Sequence, residues 1–255
     1  MKKALIAGAL AFAALYPAAA GAATFKGTVV SRFQARHVLV VSSATGLVRS
    51  VHTGSAARVG AVVSVTAAKR ADGTFTASRV AVVGRAHKAR IQGVVLSRSH
   101  GMTFVSGNRS VIAVRSARRA LASAGDTTPP VGAVANIGVT IGTQGALTQT
   151  SIKTVGTSSN IVIQATVASV TPATATTAGS LVLTVGTETF TIPLAIGTTL
   201  PATIVQGATV SLTISFGADG ATASGDDEND DNDDQGDDQD ENDDGSGSGS
   251  DVSSG

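Results

Sequence analysis

Apolar and polar residues alternate along most of the chain, in short runs that glycine and aspartate interrupt. The runs VVSVTA (62–67) and LVLTV (181–185) repeat with a period of two residues, which is typical of strands with one buried face. Segments such as SATG (43–46) and ADG (71–73) supply the turns between such runs. In the first third of the chain the pattern predicts five strands, at 24–33, 37–42, 46–53, 61–68 and 74–83.

Blocks of sequence recur in the same order at nearly constant spacing. One block reads FKGTVV, IQGVVL and IQATVA, and its copies begin at Phe25, Ile91 and Ile163. A second reads GAVVSV, GAVANI and GATVSL, and its copies begin at Gly60, Gly132 and Gly207. Repetition of this kind indicates one structural unit of roughly 65 to 70 residues, present three times.

The strand pattern and the repeats together predict an all-β protein of three tandem, five-stranded, OB-like barrels. Closing a small sheet into a barrel removes edges that would otherwise promote aggregation. The predicted parts are a signal peptide at 1–22, barrel repeats at 23–87, 88–158 and 159–224, and a disordered, Asp-rich tail at 225–255. The third repeat is divergent, and the sequence leaves open whether it is complete and closes as a barrel.

The shared pattern of strand and turn residues, f-x-G-x-V-v, then G-a-x-V-s-v, then d-G-x-f-x-A-s-x-v, resembles that of a known family. It is similar to the OB-like five-strand barrel repeats of secreted bacterial proteins, a family classed as a domain of unknown function. The resemblance covers about residues 24–225 and implies a fold and an exported location, but no catalytic residue. The third unit departs from the pattern, because Ala165 replaces the early glycine and the last strand is short.

The first residues predict export. Lys2 and Lys3 precede an apolar run from Ala4 to Leu15, and Ala20-Gly21-Ala22 fits an A-x-A cleavage site. No second long apolar segment follows, so the sequence predicts a secreted protein without a transmembrane anchor, free or held at the cell wall by charge. The chain has no cysteine, which leaves neither disulfides nor a thiolate metal site.

The polar residues do not form a recognisable catalytic set. Four carboxylates lie between the predicted signal peptide and the tail, at Asp72, Asp126, Glu188 and Asp219, and none is paired for acid-base chemistry. The four histidines, His37, His52, His87 and His100, lack metal-binding spacing. No G-x-S-x-G motif occurs. The sequence therefore predicts a protein that is not an enzyme and has no cofactor.

Charge is distributed very unevenly. Residues 24–120 hold 16 Lys or Arg against one acidic residue, whereas residues 226–255 hold 14 acidic residues and no basic one. The formal net charge of +1 for the whole chain hides this asymmetry. Two basic clusters are candidates for binding an anionic polymer. They comprise Arg85, Lys88 and Arg90, and then Arg115, Arg118 and Arg119.

High charge and low hydrophobicity predict that the tail is disordered. Three uses are compatible with its composition: a solvated spacer that aids solubility, competition for the basic surface of the barrels, and weak capture of divalent cations such as calcium. The candidate cation ligands are Asp231, Asp233 and Asp237. An EF-hand is not expected, because Asn242 occupies the twelfth loop position instead of glutamate.

Aromatic residues are scarce, with six phenylalanines and no tryptophan after the predicted signal peptide. Proteins that bind single strands commonly stack bases on aromatic rings, each worth about 1 to 3 kcal/mol, so the scarcity disfavours nucleic acid. The main prediction is a secreted, non-enzymatic protein that binds anionic cell-wall or matrix polymers through charge. A purely structural scaffold is the alternative, and weak nucleic-acid binding or an enzyme ranks below both.

Overall fold

The computed structural model describes residues 22–116, 129–217 and 220–225. These ranges contain fifteen strands and one turn of 3-10 helix, Gln34–Arg36, so the prediction of an all-β fold with three five-stranded units is confirmed. The predicted signal peptide up to residue 21 and the acidic residues from 226 onward lie outside the described residues. In the described part, no helix has the length and hydrophobicity needed to cross a membrane.

Barrel 1 closes in the strand order β1-β2-β3-β5-β4. Its strands are β1 Ala23–Phe33, β2 Val38–Ser42, β3 Val48–His52, β4 Ala61–Lys69 and β5 Phe75–Arg85. β1 pairs with β4 through its first half and with β2 through its second half. Gly27 lies where β1 changes partner, and a Cβ atom there would be 2.5 Å from the Ser42 carbonyl oxygen. Only glycine allows so close an approach of two strands.

Barrel 2 repeats this arrangement and closes in the order β6-β7-β8-β10-β9. Its strands are β6 Lys88–Ser99, β7 Met102–Gly107, β8 Ser110–Arg115, β9 Ala133–Ile141 and β10 Leu147–Thr157. Gly93 pairs with Ala135 as Gly27 pairs with Val63, so the two glycines hold equivalent positions. The parallel pairing of Arg115 with Thr148 closes barrel 2, just as that of His52 with Thr76 closes barrel 1.

The third unit, sheet 3, has five strands in the order β13-β12-β11-β14-β15 and is open rather than closed. Its strands are β11 Asn160–Thr171, β12 Gly179–Val185, β13 Glu188–Leu194, β14 Thr209–Gly217 and β15 Gly220–Gly225. In the strand register, Pro193 of sheet 3 occupies the position that His52 holds in barrel 1 and Arg115 holds in barrel 2. Pairing at this position closes the two barrels. Proline has no backbone N–H to donate, which is why it occupies edge strands such as β13. The third predicted unit, which diverges in sequence from the other two, is thus a five-stranded sheet that does not close into a barrel.

The three units pack against one another and are not separate beads. All five residues of β2 are buried, although a barrel strand with one face in water should alternate. Leu39 and Val41 fill barrel 1, whereas Val38 and Val40 belong to the apolar cluster of barrel 2. In the same way Phe104 of β7 points away from barrel 2 into the core of sheet 3, with its ring 4.8 Å from that of Phe190.

The same backbone contact joins each unit to the next. The Gln92 N–H donates to the Gly46 carbonyl in the β2–β3 turn at 2.8 Å, and the Gln164 N–H donates to the Arg109 carbonyl in the β7–β8 turn at 2.8 Å. Gln92 and Gln164 precede the equivalent residues Gly93 and Ala165, so one interface is used twice. Barrel 1 also reaches sheet 3, since Arg36 Nη1 donates to the Gln164 carbonyl at 3.2 Å.

Candidate functional site

The surface that OB folds commonly use for ligands is covered in the first two units. In that fold the second and third strands form the binding face. Barrel 2 packs on the outer face of β2 and β3, and sheet 3 packs on the outer face of β7 and β8. A ligand of barrel 1 or barrel 2 therefore has to use another face of the barrel.

The opposite side of barrel 2 carries an exposed basic surface. Lys88 and Arg90 are two residues apart on β6, so both side chains point outward, and both are exposed. Strand β9 pairs with β6 on one side and with β10 on the other, and Asn136 of β9 is the partner of both Gln92 and Lys153. Gln92 points outward like Arg90, so Lys153 of β10 lies on the same outer face. We call Lys88, Arg90 and Lys153 the cationic face of barrel 2.

No carboxylate among the described residues forms an ion pair with the cationic face. Of the described residues, fifteen are Lys or Arg and two are acidic, Asp72 and Glu188. Among them one ion pair forms, between Arg70 and Asp72 at 3.8 Å, on the β4–β5 turn of barrel 1. Within the part of the chain that the structure describes, Lys88, Arg90 and Lys153 have no ion-pair partner.

Asp72 is committed to its own turn. Its Oδ1 accepts hydrogen bonds from the Thr74 N–H at 2.9 Å and from the Thr74 hydroxyl at 2.7 Å. Burial raises the pKa of the Asp72 carboxyl, but these two hydrogen bonds and the charges of Arg70 and Arg109 outweigh burial and lower it. The carboxylate therefore stays ionised at neutral pH and organises the turn.

Two arginines act in packing rather than on the surface. Arg36 lies over the Phe33 ring at 4.3 Å while it donates to sheet 3, and burial lowers the pKa of its guanidinium. Arg98 Nε donates to Thr103 Oγ1 at 3.4 Å, and burial lowers the pKa of its guanidinium as well. Burial and the charges of Arg70 and Arg36 lower the pKa of His52, with an opposing effect of Asp72. His52 therefore adds no charge at neutral pH.

The structure separates the predicted basic clusters. Arg85 ends β5 and lines a cleft of about 310 Å³ beside His87, next to the cationic face but not on it. Arg115 ends β8 and lies at a different cleft, near Arg32 of barrel 1. Arg118 and Arg119 lie outside the described residues. Of the six predicted basic residues, Lys88 and Arg90 share one face.

Sequence reasoning missed Lys153 and Arg32. Lys153 is the one basic residue among residues 121–225, and its relation to Arg90 depends on the register of β6, β9 and β10. A further repeated block could have revealed the pairing of these strands, because GALTQTSIKTVG (145–156) aligns with GTFTASRVAVVG (73–84), which contains the last predicted strand of the first unit. Arg32 lines the same cleft as Arg115 because the units pack together, and no local sequence pattern predicts this packing.

The structure offers no metal site among the residues it describes: no group of three His, Cys, Asp or Glu side chains lies close enough to hold an ion. The candidate cation ligands Asp231, Asp233 and Asp237 lie outside the described residues.

Comparison with known proteins adds little beyond the fold. No protein family matches the chain, and neither does any curated protein. Two solved structures align with part of the chain. The first is a multidomain protein with nucleic acid binding domains from Streptococcus pneumoniae, with 11% identity, a TM-score of 0.24, and coverage of 79% of this chain and 71% of that one. The second is drosophila Unr CSD456, with 13% identity, a TM-score of 0.20, and coverage of 79% and 95%.

These matches correct the functional prediction. Charge-led binding of wall or matrix polymers was the main expectation and nucleic acid was disfavoured, yet the domains of the first match are described as nucleic acid binding. The prediction of partners is corrected as well; it named wall or matrix polymers, the chain's own tail and calcium. The scarcity of aromatic residues disfavours base stacking, but phosphate contacts alone supply most of the affinity in non-specific binding. At these TM-scores the likeness assigns no ligand site in this chain.

Proposed function

We propose that the chain binds nucleic acid, without strong sequence preference, through the cationic face of barrel 2. The observation that carries the proposal is the position of Lys88, Arg90 and Lys153 on one exposed face of a rigid sheet, with no ion-pair partner among the described residues. Each positive side chain that neutralises a phosphate releases a condensed counterion, and this release favours binding.

The composition of the face explains the expected lack of specificity. Gln92, Asn136 and Ser151 lie between the basic residues, and this outer face of β6, β9 and β10 contains no aromatic ring on which a base could stack. Its three strands form a sheet surface, without a helix or two-stranded ribbon that could enter a major groove. Contacts to phosphates position a nucleic acid but do not read its bases.

The test is the affinity of the full chain for a labelled single-stranded oligonucleotide, measured by fluorescence anisotropy at low salt. The triple variant Lys88→Gln, Arg90→Gln and Lys153→Gln should bind at least about tenfold more weakly. The control triple Lys26→Gln, Arg58→Gln and Arg79→Gln removes the same charge from exposed positions in barrel 1 and should lose less than about threefold.

Two results would contradict the proposal. Equal losses in the two triple variants would show that total charge, and not this face, determines affinity. No binding by the unmodified chain at low salt would remove the function itself. Circular dichroism of each variant establishes that the strands are retained.

We further propose that the protein is exported and acts by binding rather than by catalysis. The lysines, apolar run and A-x-A pattern of residues 1–22 support export. The repeat pattern supports membership of the OB-like repeat family of secreted bacterial proteins. Asp72 and Glu188 belong to different units and do not form an acid-base pair. Amino-terminal sequencing of protein recovered from the medium tests export.

A further inference from the structure

A second site lies where all three units meet. A cleft of about 420 Å³ is bounded by the end of β1 in barrel 1, by the end of β8 and the turn at 144–147 in barrel 2, and by the β12–β13 turn in sheet 3. No single unit contains this cleft. Ligand sites commonly lie at such junctions between domains, and this volume is in the usual range for small molecules.

Apolar groups form about half of the cleft wall. Val30, Ile112, Leu147 and Val185 line it and are otherwise buried in the cores around it. Half-buried Phe33 completes this wall and packs against the cores of both barrel 2 and sheet 3. An apolar ligand group of matching shape would lose contact with water here, at a gain of about 25 cal/mol for each Å² buried.

Two of the three charged side chains at the cleft are positive. Arg32 and Arg115 line it from two different barrels, and neither guanidinium forms an ion pair or hydrogen bond with a described residue. Glu188 is the one carboxylate among the lining residues, and it lies farther than 4 Å from either guanidinium. Two arginines against one carboxylate favour a ligand with one anionic group, which a guanidinium binds through two parallel hydrogen bonds.

We propose that this three-unit cleft binds a small amphipathic anion, a molecule with one carboxylate or phosphate group and an apolar body. The anionic group contacts Arg32 and Arg115, and the apolar body lies against Val30 of barrel 1, Ile112 of barrel 2 and Val185 of sheet 3. Because the ligand contacts all three units, its binding stabilises their packed arrangement. This site is separate from the cationic face and does not depend on nucleic-acid binding.

The test uses anilinonaphthalene sulfonate, an amphipathic anion that fluoresces in apolar surroundings, and measures its displacement from the full chain. Decanoate and decyl phosphate should displace it, and uncharged decanol should do so at least about tenfold less well. The ratio of the affinities of decanoate and decyl phosphate identifies the preferred anionic group. Saturating decanoate should also raise the melting temperature.

Variants locate the binding. The double variant Arg32→Gln with Arg115→Gln should bind decanoate at least about tenfold more weakly. The control pair Lys26→Gln with Arg79→Gln should leave the affinity for decanoate unchanged. Ala113→Phe places a ring in the cleft and should abolish probe binding in a chain with unchanged circular dichroism. The proposal is wrong if decanol competes as well as decanoate, or if the Arg32 and Arg115 pair behaves like its control.

Discussion

At the scale of single residues, one glycine in each barrel determines how closely two strands approach. Gly27 and Gly93 occupy the point where the first strand of the barrel passes from one neighbour to the next. In sheet 3 the equivalent residue is Ala165, whose methyl group has to be accommodated between β11 and β12. This substitution is visible in the sequence and marks the one unit that is open.

Replacing this glycine tests its role. In Gly27→Ala the new methyl group would be 2.5 Å from the Ser42 oxygen and 2.7 Å from Val41 Cγ1, so we expect a loss of about 1 to 3 kcal/mol in the free energy of unfolding. In the control Gly84→Ala the nearest atom is at 3.9 Å, and stability should be unchanged or slightly higher. Urea denaturation measures both, and equal effects would contradict this explanation of barrel closure.

At the scale of elements, hairpin turns and outer strand faces join the units. Both residues of the β7–β8 turn, Asn108 and Arg109, have positive φ angles, as a tight two-residue hairpin requires. Asn108 Oδ1 accepts a hydrogen bond from the Ser50 N–H at 2.7 Å, and its Nδ2 donates to the Gly73 carbonyl at 3.0 Å. The β7–β8 turn of barrel 2 thus forms hydrogen bonds with two elements of barrel 1, strand β3 and the β4–β5 turn.

Asn108→Gly tests this link, because glycine keeps the turn conformation and removes the side chain. Ser50 is buried, so its N–H would lose its acceptor, and we expect a loss of about 1 to 3 kcal/mol in stability. Asn108→Asp retains that acceptor and should cost less. Hydrogen exchange at the Ser50 amide reports the contact directly, and unchanged protection in Asn108→Gly would show that the turn does not hold barrel 1.

Sheet 3 ends the series of packed units because its outer face differs. The register aligns Val48 and Val111, which are buried between units, with Thr189, which is exposed. β12 alternates between buried and half-buried residues, as expected for a strand with one face in water. A polar outer face is typical of the terminal repeat in an array, since no further unit covers it.

At the scale of the whole molecule, the local pattern predicted the strands of barrel 1 to within two residues of their observed ends. The packing between units was not predicted, although VLVVS (38–42) carried a signal for it. Four consecutive apolar residues indicate a strand that is buried on both faces. The candidate site was predicted in part, because Lys88 and Arg90 are neighbours in sequence whereas Lys153 joins them only through strand register. The predicted unit boundaries stay predictions.

Local charge, and not net charge, has to explain any affinity for nucleic acid, since the chain as a whole carries a formal charge of +1. The most direct test of the cationic face is the salt dependence of oligonucleotide binding by the full chain and by its Lys88, Arg90 and Lys153 triple variant. For a single strand, log K falls against log salt with a slope of about −0.7 for each phosphate neutralised. Three lost contacts should therefore make the slope of the variant shallower by about 2. Parallel slopes for the two proteins would contradict the central claim, because they would show that these residues neutralise no phosphates.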